Sequence, residues 1–219
     1  VPRPHFDHLA APYVWLERLS YGGLLQWCRT ALLGELSDAR FALVLGDGDG
    51  RFLEAFVKAN TEVRIDAFDV SPAMVALAER RVCRATADRV HFTVADVRDV
   101  CFSPGRYDLI VTNFFLDCFA EAELRTLIAE LIPALKPGGR WLVGDFRRPD
   151  SRVPRLIAAV ALAGMYLFFR VATRISASRL VDPASVLDGH GLRVQKRVSR
   201  FGGFLTAELW QLPSDSDEK

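Results

Sequence analysis

The stretch Leu43-Val44-Leu45-Gly46-Asp47-Gly48-Asp49-Gly50-Arg51-Phe52 constrains this chain more than any other, because an apolar strand gives way at once to glycines at alternate positions. Glycine lets the backbone take positive φ and approach a ligand with no Cβ in the way. The pattern reads as a nucleotide-binding turn between a buried strand and a helix, facing the ribose and amino-acid portion of a cofactor. The dinucleotide fingerprint G-x-G-x-x-G needs its third glycine at position 51, where the chain has Arg51. That glycine serves close helix–strand packing, a role arginine cannot fill, so G-x-G-x-G points away from a pyrophosphate. An ordinary glycine-rich loop is the plain alternative.

With 219 residues, half of them hydrophobic, the chain is long enough for one domain with a sizeable core. A formal charge of +1 supplies no global attraction for a polyanion, so no nucleic-acid partner is expected. Cys28, Cys83, Cys101 and Cys118 are scattered and form no C-x-x-C pair, which fits reduced thiols in a cytoplasmic protein. The first residues show no basic start, apolar run and small-residue cleavage site, so export is not expected.

Strand-like and helix-like segments alternate, predicting a parallel sheet with helices on both faces. After a helical N-terminal portion, strands are predicted at 41–45, 63–68, 90–94, 107–112 and 140–145. Helices are predicted at 51–60, from Ala73 to about Thr86 behind the Ser71-Pro72 start signal, and at 120–135. Lys136-Pro137-Gly138-Gly139 reads as the stop of the last of these. Segments 192–198 and 204–212, around Gly202-Gly203, read as an antiparallel pair. The polar tail 214–219 is expected to be disordered.

In an open α/β sheet a ligand sits at the carboxyl ends of the strands, and three acids fall there. Asp69 follows the second strand, 19 residues beyond Gly50, where a carboxylate can accept from a ribose diol. Asp96 lies just past the third strand, placed to accept from an adenine amino group, with Val97 as an apolar wall. Asp117 follows the fourth strand, where capping of the next helix competes with a role in catalysis or substrate orientation.

Gly46-Asp47-Gly48-Asp49-Gly50, Asp69-Val70-Ser71-Pro72-Ala73-Met74, Ala95-Asp96-Val97 and Lys136-Pro137-Gly138-Gly139 occur in the order that resembles the class I S-adenosylmethionine-dependent methyltransferases. The resemblance covers nearly the whole chain, and Phe6-Asp7-His8-Leu9-Ala10-Ala11-Pro12-Tyr13 is similar to the opening of the quinone-biosynthesis branch. It implies an α/β, Rossmann-like, doubly wound, mostly parallel seven-stranded sheet with an antiparallel C-terminal strand and a helical insert between strands 5 and 6. It also implies S-adenosyl-L-methionine as cofactor, held by Gly46, Asp47, Gly48, Gly50, Asp69, Val70, Met74, Asp96, Val97 and Asn113. The family usually has an acid two positions before the first glycine, where this chain has Val44; Asp47 or Asp49 is the candidate to compensate.

Methyl transfer from a sulfonium is an in-line displacement, so positioning supplies much of the catalysis and a general base is needed only if the acceptor must lose a proton. Asp117, Asp145, Tyr13 and Tyr166 are the candidates by position. Asn113-Phe114-Phe115-Leu116 lacks the two prolines that mark the family's methylases of nucleobase and amide nitrogens, and the two phenylalanines are either an apolar floor for the acceptor or core. His5, Asp7 and His8 do not read as a metal site.

The chain divides into a single domain, 1–213, with an N-terminal helical cap at 1–40 and an apolar insert at 147–180. The insert carries a 14-residue apolar run, 156–169, shorter than the 18 or so residues of a membrane span. It can act as a lid or substrate wall, pack on the sheet, or rest peripherally on a membrane. The acceptor is then a small, largely apolar molecule: quinol-like, phenolic or lipid. A non-catalytic cofactor or lipid binder, or a nicotinamide oxidoreductase on a related fold, is the alternative.

Overall fold

The computed structural model describes residues 22–82, 84–147 and 182–214. Most of the N-terminal cap, most of the insert and most of the tail lie outside the described residues, and with them Tyr13, Tyr166, His5 and His8. The described elements are α1 (Gly22–Thr30), β1 (Phe41–Leu45), α2 (Arg51–Ala59), β2 (Arg64–Asp69), α3 (Pro72–Arg81), β3 (Val90–Val94), β4 (Tyr107–Asn113), α4 (Glu121–Leu131), β5 (Leu135–Phe146), α5 (Ala184–Gly189), β6 (Arg193–Arg200) and β7 (Leu205–Gln211).

The strands form one sheet in the order β3-β2-β1-β4-β5-β7-β6, and the chain reverses its direction of travel across the sheet between β1 and β4. β1 through β5 pair in parallel, while β7 runs antiparallel to both β5 and β6. Central strands buried on both faces need near-continuous apolar sequence, and β1 and β4 supply it. Two apolar clusters flank the sheet. Ala42, Val44, Leu109 and Val111 face α1 and α2, whereas Leu43, Leu45, Ile110 and Trp141 face α4.

The alternation thus sorts successive residues to opposite faces, and the switch in strand order leaves a crevice at the carboxyl ends of β1 and β4. α3 starts where expected, with Ser71 as N-cap, its Oγ accepting from the Met74 N–H at 3.3 Å, and Pro72 in the first turn.

Three boundaries differ from expectation. α3 ends at Arg81, because Val82 turns extended, and a 3-10 segment, Arg84–Arg89, follows. α4 ends at Leu131, with Pro133 in the 3-10 turn after it, and β5 begins at Leu135 instead of 140. Lys136-Pro137-Gly138-Gly139 is therefore no helix stop. Leu135 pairs with Tyr107 and Arg140 with Leu109, so these residues bulge from the strand, and Gly138 takes φ 74°.

Gly50 fixes how closely α2 and α3 pack. Its φ is 81°, and a Cβ there would lie 2.7 Å from Ala78 Cα in α3. The close-packing role of a third glycine thus falls on Gly50 and not on position 51. Gly50→Ala is expected to destabilise the fold by about 2–4 kcal/mol, combining a left-handed residue with overpacking against backbone. Urea unfolding midpoints of the two proteins check this; a loss under about 0.5 kcal/mol would show that the two helices part freely.

Candidate active site

The glycine loop leaves β1 at its carboxyl end and is anchored on three sides. Gly46 N–H donates to Phe68 O at 2.9 Å, tying the loop to β2. Asp47, 8% exposed, turns inward and accepts from the N–H groups of Phe52 (3.3 Å) and Leu53 (2.9 Å), the unpaired donors of the first turn of α2. Burial pushes its carboxyl up to about 7, against the pull of Arg29 and the two N–H groups. Asp49, 2% exposed, accepts from Arg51 Nε at 3.0 Å and Arg81 Nη2 at 2.7 Å. Arg81 Nε also donates to Asp49 O at 2.7 Å, latching the loop to the end of α3.

The loop acids therefore hold the loop itself. Asp49 is committed to two arginines, and Val44, 1% exposed, offers no polar atom in the position the family usually gives an acid. Asp47 still borders the recess between Val44, Gly48, Ala67 and Asp69.

Asp69 ends β2. Its Oδ2 accepts from the Gly48 N–H at 3.3 Å and its Oδ1 from the Ser71 N–H at 2.9 Å. One carboxylate thus joins the tip of the glycine loop to the start of α3. Val70 is half-buried beside it and Met74 is buried in α3. Asp96 caps the short turn Val97–Asp99 and is gripped bidentately by its neighbour Arg98, at 2.9 Å (Oδ1–Nε) and 2.6 Å (Oδ2–Nη2). Val97 points into the α4-side core with Leu45 and Leu116.

Across the crevice, Asn113 ends β4. It is 4% exposed, and neither its Oδ1 nor its Nδ2 has a hydrogen-bond partner. A Cβ on the facing Gly144 would lie 2.4 Å from Asn113 Oδ1, so only glycine leaves the amide its place. Phe114 follows at φ 53°, a conformation rare for a bulky residue, with its N–H on Gly144 O at 2.7 Å. Its ring packs 5.0 Å from Phe146, and the Arg29 guanidinium lies 5.3 Å from its centroid. The Phe115 ring fills the space beside Gly46, where a Cβ would come within 2.3 Å of it.

Asp117 is not the cap of α4. It sits in the 3-10 turn Leu116–Cys118, and the N-terminus of α4 is closed instead by Glu123, whose Oε2 accepts from the Ala120 N–H at 3.1 Å. Asp117 faces Cys118 (Oδ1 to Sγ, 3.7 Å), and burial raises its carboxyl to about 6. Asp145, near the end of β5, is 4% exposed, and burial followed by repulsion from Asp117 holds it well above the carboxylate range.

Sequence reasoning missed Arg29, 5% exposed in α1, whose charge acts on Asp47 and on Cys28. A lone arginine in an apolar helix carries no motif that marks it.

Residues 42–139 match the model of a family described as a methyltransferase domain. The chain is 32% identical over 148 residues to a demethylmenaquinone methyltransferase of Thermus thermophilus, covering 67% of this chain and 66% of that protein. The chain belongs to the class I S-adenosylmethionine-dependent methyltransferases. It is also 29% identical over 153 residues to the ubiquinone/menaquinone biosynthesis C-methyltransferase UbiE of Geotalea daltonii, covering 66% of this chain and 62% of that one. The chain thus spans 62–66% of the length of these two relatives.

Among solved structures, the N-methyltransferase NodS of Bradyrhizobium japonicum, in complex with S-adenosyl-L-homocysteine, superposes with a TM-score of 0.64 at 19% identity, over 90% of this chain and 91% of that chain. An O-methyltransferase family protein of Burkholderia thailandensis gives 0.69 at 21%, over 97% and 65%. These likenesses concern the fold.

The family takes its methyl group from S-adenosylmethionine, and the residues present fit that cofactor. A Cβ at Gly48 would meet no atom within 4 Å, so the loop tip is open to a ligand. The buried Asn113 amide has both hydrogen-bonding atoms unmet on the other side of the crevice. Bound there, the cofactor supplies an activated methyl group.

Two outcomes test this geometry. Asp69→Ala should weaken S-adenosylmethionine binding at least about tenfold in calorimetry, since it removes a charged acceptor that orders the loop; unchanged affinity would take Asp69 out of the cofactor site. For Asp47 the raised folded value means the native state binds the proton more tightly. Its contribution to stability is present in full below about pH 4 and is lost as pH rises through about 7. Wild type should therefore lose stability relative to Asp47→Asn between pH 4.5 and 7.5, by about 4 kcal/mol at most. Parallel denaturant melts at the two pH values measure it, and a constant difference would mean that Asp47 stays ionised throughout.

Proposed function

We propose that the protein transfers a methyl group from S-adenosylmethionine to a small, largely apolar acceptor, quinol-like or phenolic, within the cytoplasm. One observation carries the acceptor class: the similarity to a demethylmenaquinone methyltransferase extends over 67% of the chain. The apolar surroundings of the crevice on its β4 side, Phe114, Phe115 and Phe119, support the same reading.

In this proposal Asp69 accepts from the ribose hydroxyls and Gly46, Gly48 and Gly50 let the loop backbone lie against the cofactor. Asn113 meets its amino-acid portion. Asp96, kept in place by Arg98, accepts from the adenine amino group with a remaining lone pair, and Val97 backs the ring. Asp117 takes the acceptor's proton where the chemistry requires one, being half-buried with a carboxyl raised to about 6, close to the working pH of a general base. Tyr13 and Tyr166 are proposed as further acceptor contacts, and segment 147–180 as a lid or substrate wall that can touch a membrane surface.

No helix among the described residues is long and apolar enough to cross a membrane. Val44 and the inward turn of Asp47 favour, as a second reading, a protein that binds the cofactor without transferring its methyl group.

Incubation with methyl-labelled S-adenosylmethionine and a reduced, demethylated naphthoquinol separates the two. Label is expected in the organic phase, together with thermal stabilisation by S-adenosylmethionine worth about 2.7 kcal/mol at 100 times its dissociation constant. Stabilisation without transfer to the naphthoquinol, to a simple phenol or to a cell lipid extract would favour the binder.

A further inference from the structure

α1 carries a buried cation to the carboxyl ends of β4 and β5. Gln26 Nε2 donates to Arg51 O at the start of α2 (3.4 Å), and Cys28 Sγ donates to Thr206 O in β7 (3.4 Å). Between these ties the Arg29 guanidinium lies over the ring of Phe114, the residue that follows β4, 5.3 Å from its centroid. Arg29 is 5% exposed. A guanidinium does not give up its charge, and buried charges are found where a counter-charge is held.

Asn113 points to the same face. Leu109 and Val111, at alternate positions before it in β4, face α1, and a Cβ on Gly144 would lie 2.4 Å from Asn113 Oδ1 and 3.5 Å from Cys28 Sγ. Asn113 is 4% exposed, and among the described residues neither its Oδ1 nor its Nδ2 has a hydrogen-bond partner. A buried amide with donor and acceptor both unmet costs stability, and a ligand that uses both accounts for it. The next residue, Phe114, is held at φ 53°, and strained backbone of this kind gathers at ligand sites.

Together the two side chains offer what the charged end of an amino acid requires. A planar fork of N–H groups grips both oxygens of a carboxylate, and the amide beside it adds a donor for the carboxylate and an acceptor for the ammonium group. With five N–H groups, the guanidinium has room for a ligand besides its other partners. Val44 faces α1 as well, paired with Val111 in the neighbouring strand, and it stands where the family usually has an acid. An apolar side chain there gives the ammonium group no counter-charge.

We propose that Arg29 and Asn113 bind the α-carboxylate of S-adenosylmethionine, so that this chain holds the amino-acid end of its cofactor chiefly through the carboxylate. This role for Arg29 rests on the cofactor assignment and is independent of the acceptor. Calorimetric titration of the full chain with three thioether ligands tests it: S-adenosylhomocysteine, the aminopropylthioadenosine that lacks only its carboxylate, and the carboxypropylthioadenosine that lacks only its amino group. In wild type the carboxypropyl ligand is expected to bind within about fivefold of S-adenosylhomocysteine, and the aminopropyl ligand at least about tenfold more weakly than the carboxypropyl one.

In Arg29→Gln, affinity for S-adenosylhomocysteine and for the carboxypropyl ligand is expected to fall at least about tenfold, while the aminopropyl ligand binds within about twofold of wild type. Asn113→Leu, of similar volume, is expected to shrink the preference for the carboxypropyl ligand at least about threefold. A wild type that binds the aminopropyl ligand as well as the carboxypropyl one would overturn the proposal. So would an Arg29→Gln variant that loses all three ligands by the same factor, the mark of a residue that only props α1 against Phe114. If Arg29→Gln does not fold, Arg29→Lys decides, since it keeps the cation and loses the fork: the carboxypropyl preference is expected to shrink at least about threefold, and an unchanged preference would take Arg29 out of the subsite. Failure of wild type to bind S-adenosylhomocysteine at all would overturn the cofactor assignment, and this subsite with it.

Discussion

A loop that offers bare backbone to a ligand has no side chains with which to hold itself on that side, so it must be held from behind. Here two buried carboxylates do so. Asp47 closes the first turn of α2, and Asp49 binds Arg51 and Arg81. The position of Asp47 is not comfortable for a charge: burial outweighs the favourable helix terminus and raises its carboxyl to about 7. Everything else at the crevice follows from this anchoring. Gly50 can sit against Ala78 because Arg81 draws the end of α3 onto the loop, and Asp69 can reach the Gly48 N–H because the tip is fixed.

The sheet was legible where local sequence decides it. β1 and β4 are buried on both faces and read as apolar runs, and Ser71-Pro72 marks the start of α3 through a side-chain oxygen and a preset φ. Expectation fails where pairing across the sheet decides. Lys136-Pro137-Gly138-Gly139 has every local mark of a chain break, yet the partners Tyr107 and Leu109 hold the residues on either side of it in one strand. Similarly, nothing local ends α3 at Arg81, because residues 82–86 continue a pattern compatible with helix.

The site divides along the same line. The order of glycines and acids along the chain pointed to the cofactor because each lies just past a strand end, and a doubly wound sheet gathers its strand ends in one crevice. What each acid does there depends on partners far away in sequence. Asp49 meets Arg81, 32 residues on. Arg29 and Asn113 matter through burial, which no motif announces. Asp96 shows the reverse case: a residue in the expected place whose carboxylate is shared with the very next-but-one side chain, Arg98.

Charge makes the point sharpest. A formal charge of +1 suggests a nearly neutral protein, but that sum says nothing of where the charges stand. Asp69 closes β2, Asp145 lies near the end of β5, and Asp47, Asp96 and Asp117 follow strand ends, with Arg98 paired to Asp96, whereas Arg193, Lys196, Arg197 and Arg200 line the exposed edge strand β6. Cations on an edge strand discourage pairing with another sheet, a service that needs water around them. Acids gathered in a crevice with low-dielectric walls do the opposite, since their field is focused there instead of being screened. Net charge therefore bears on what approaches the whole molecule and says little about what the crevice prefers. Where five aspartates end up relative to one another is decided by folding, and that arrangement exists only once the strands are in order.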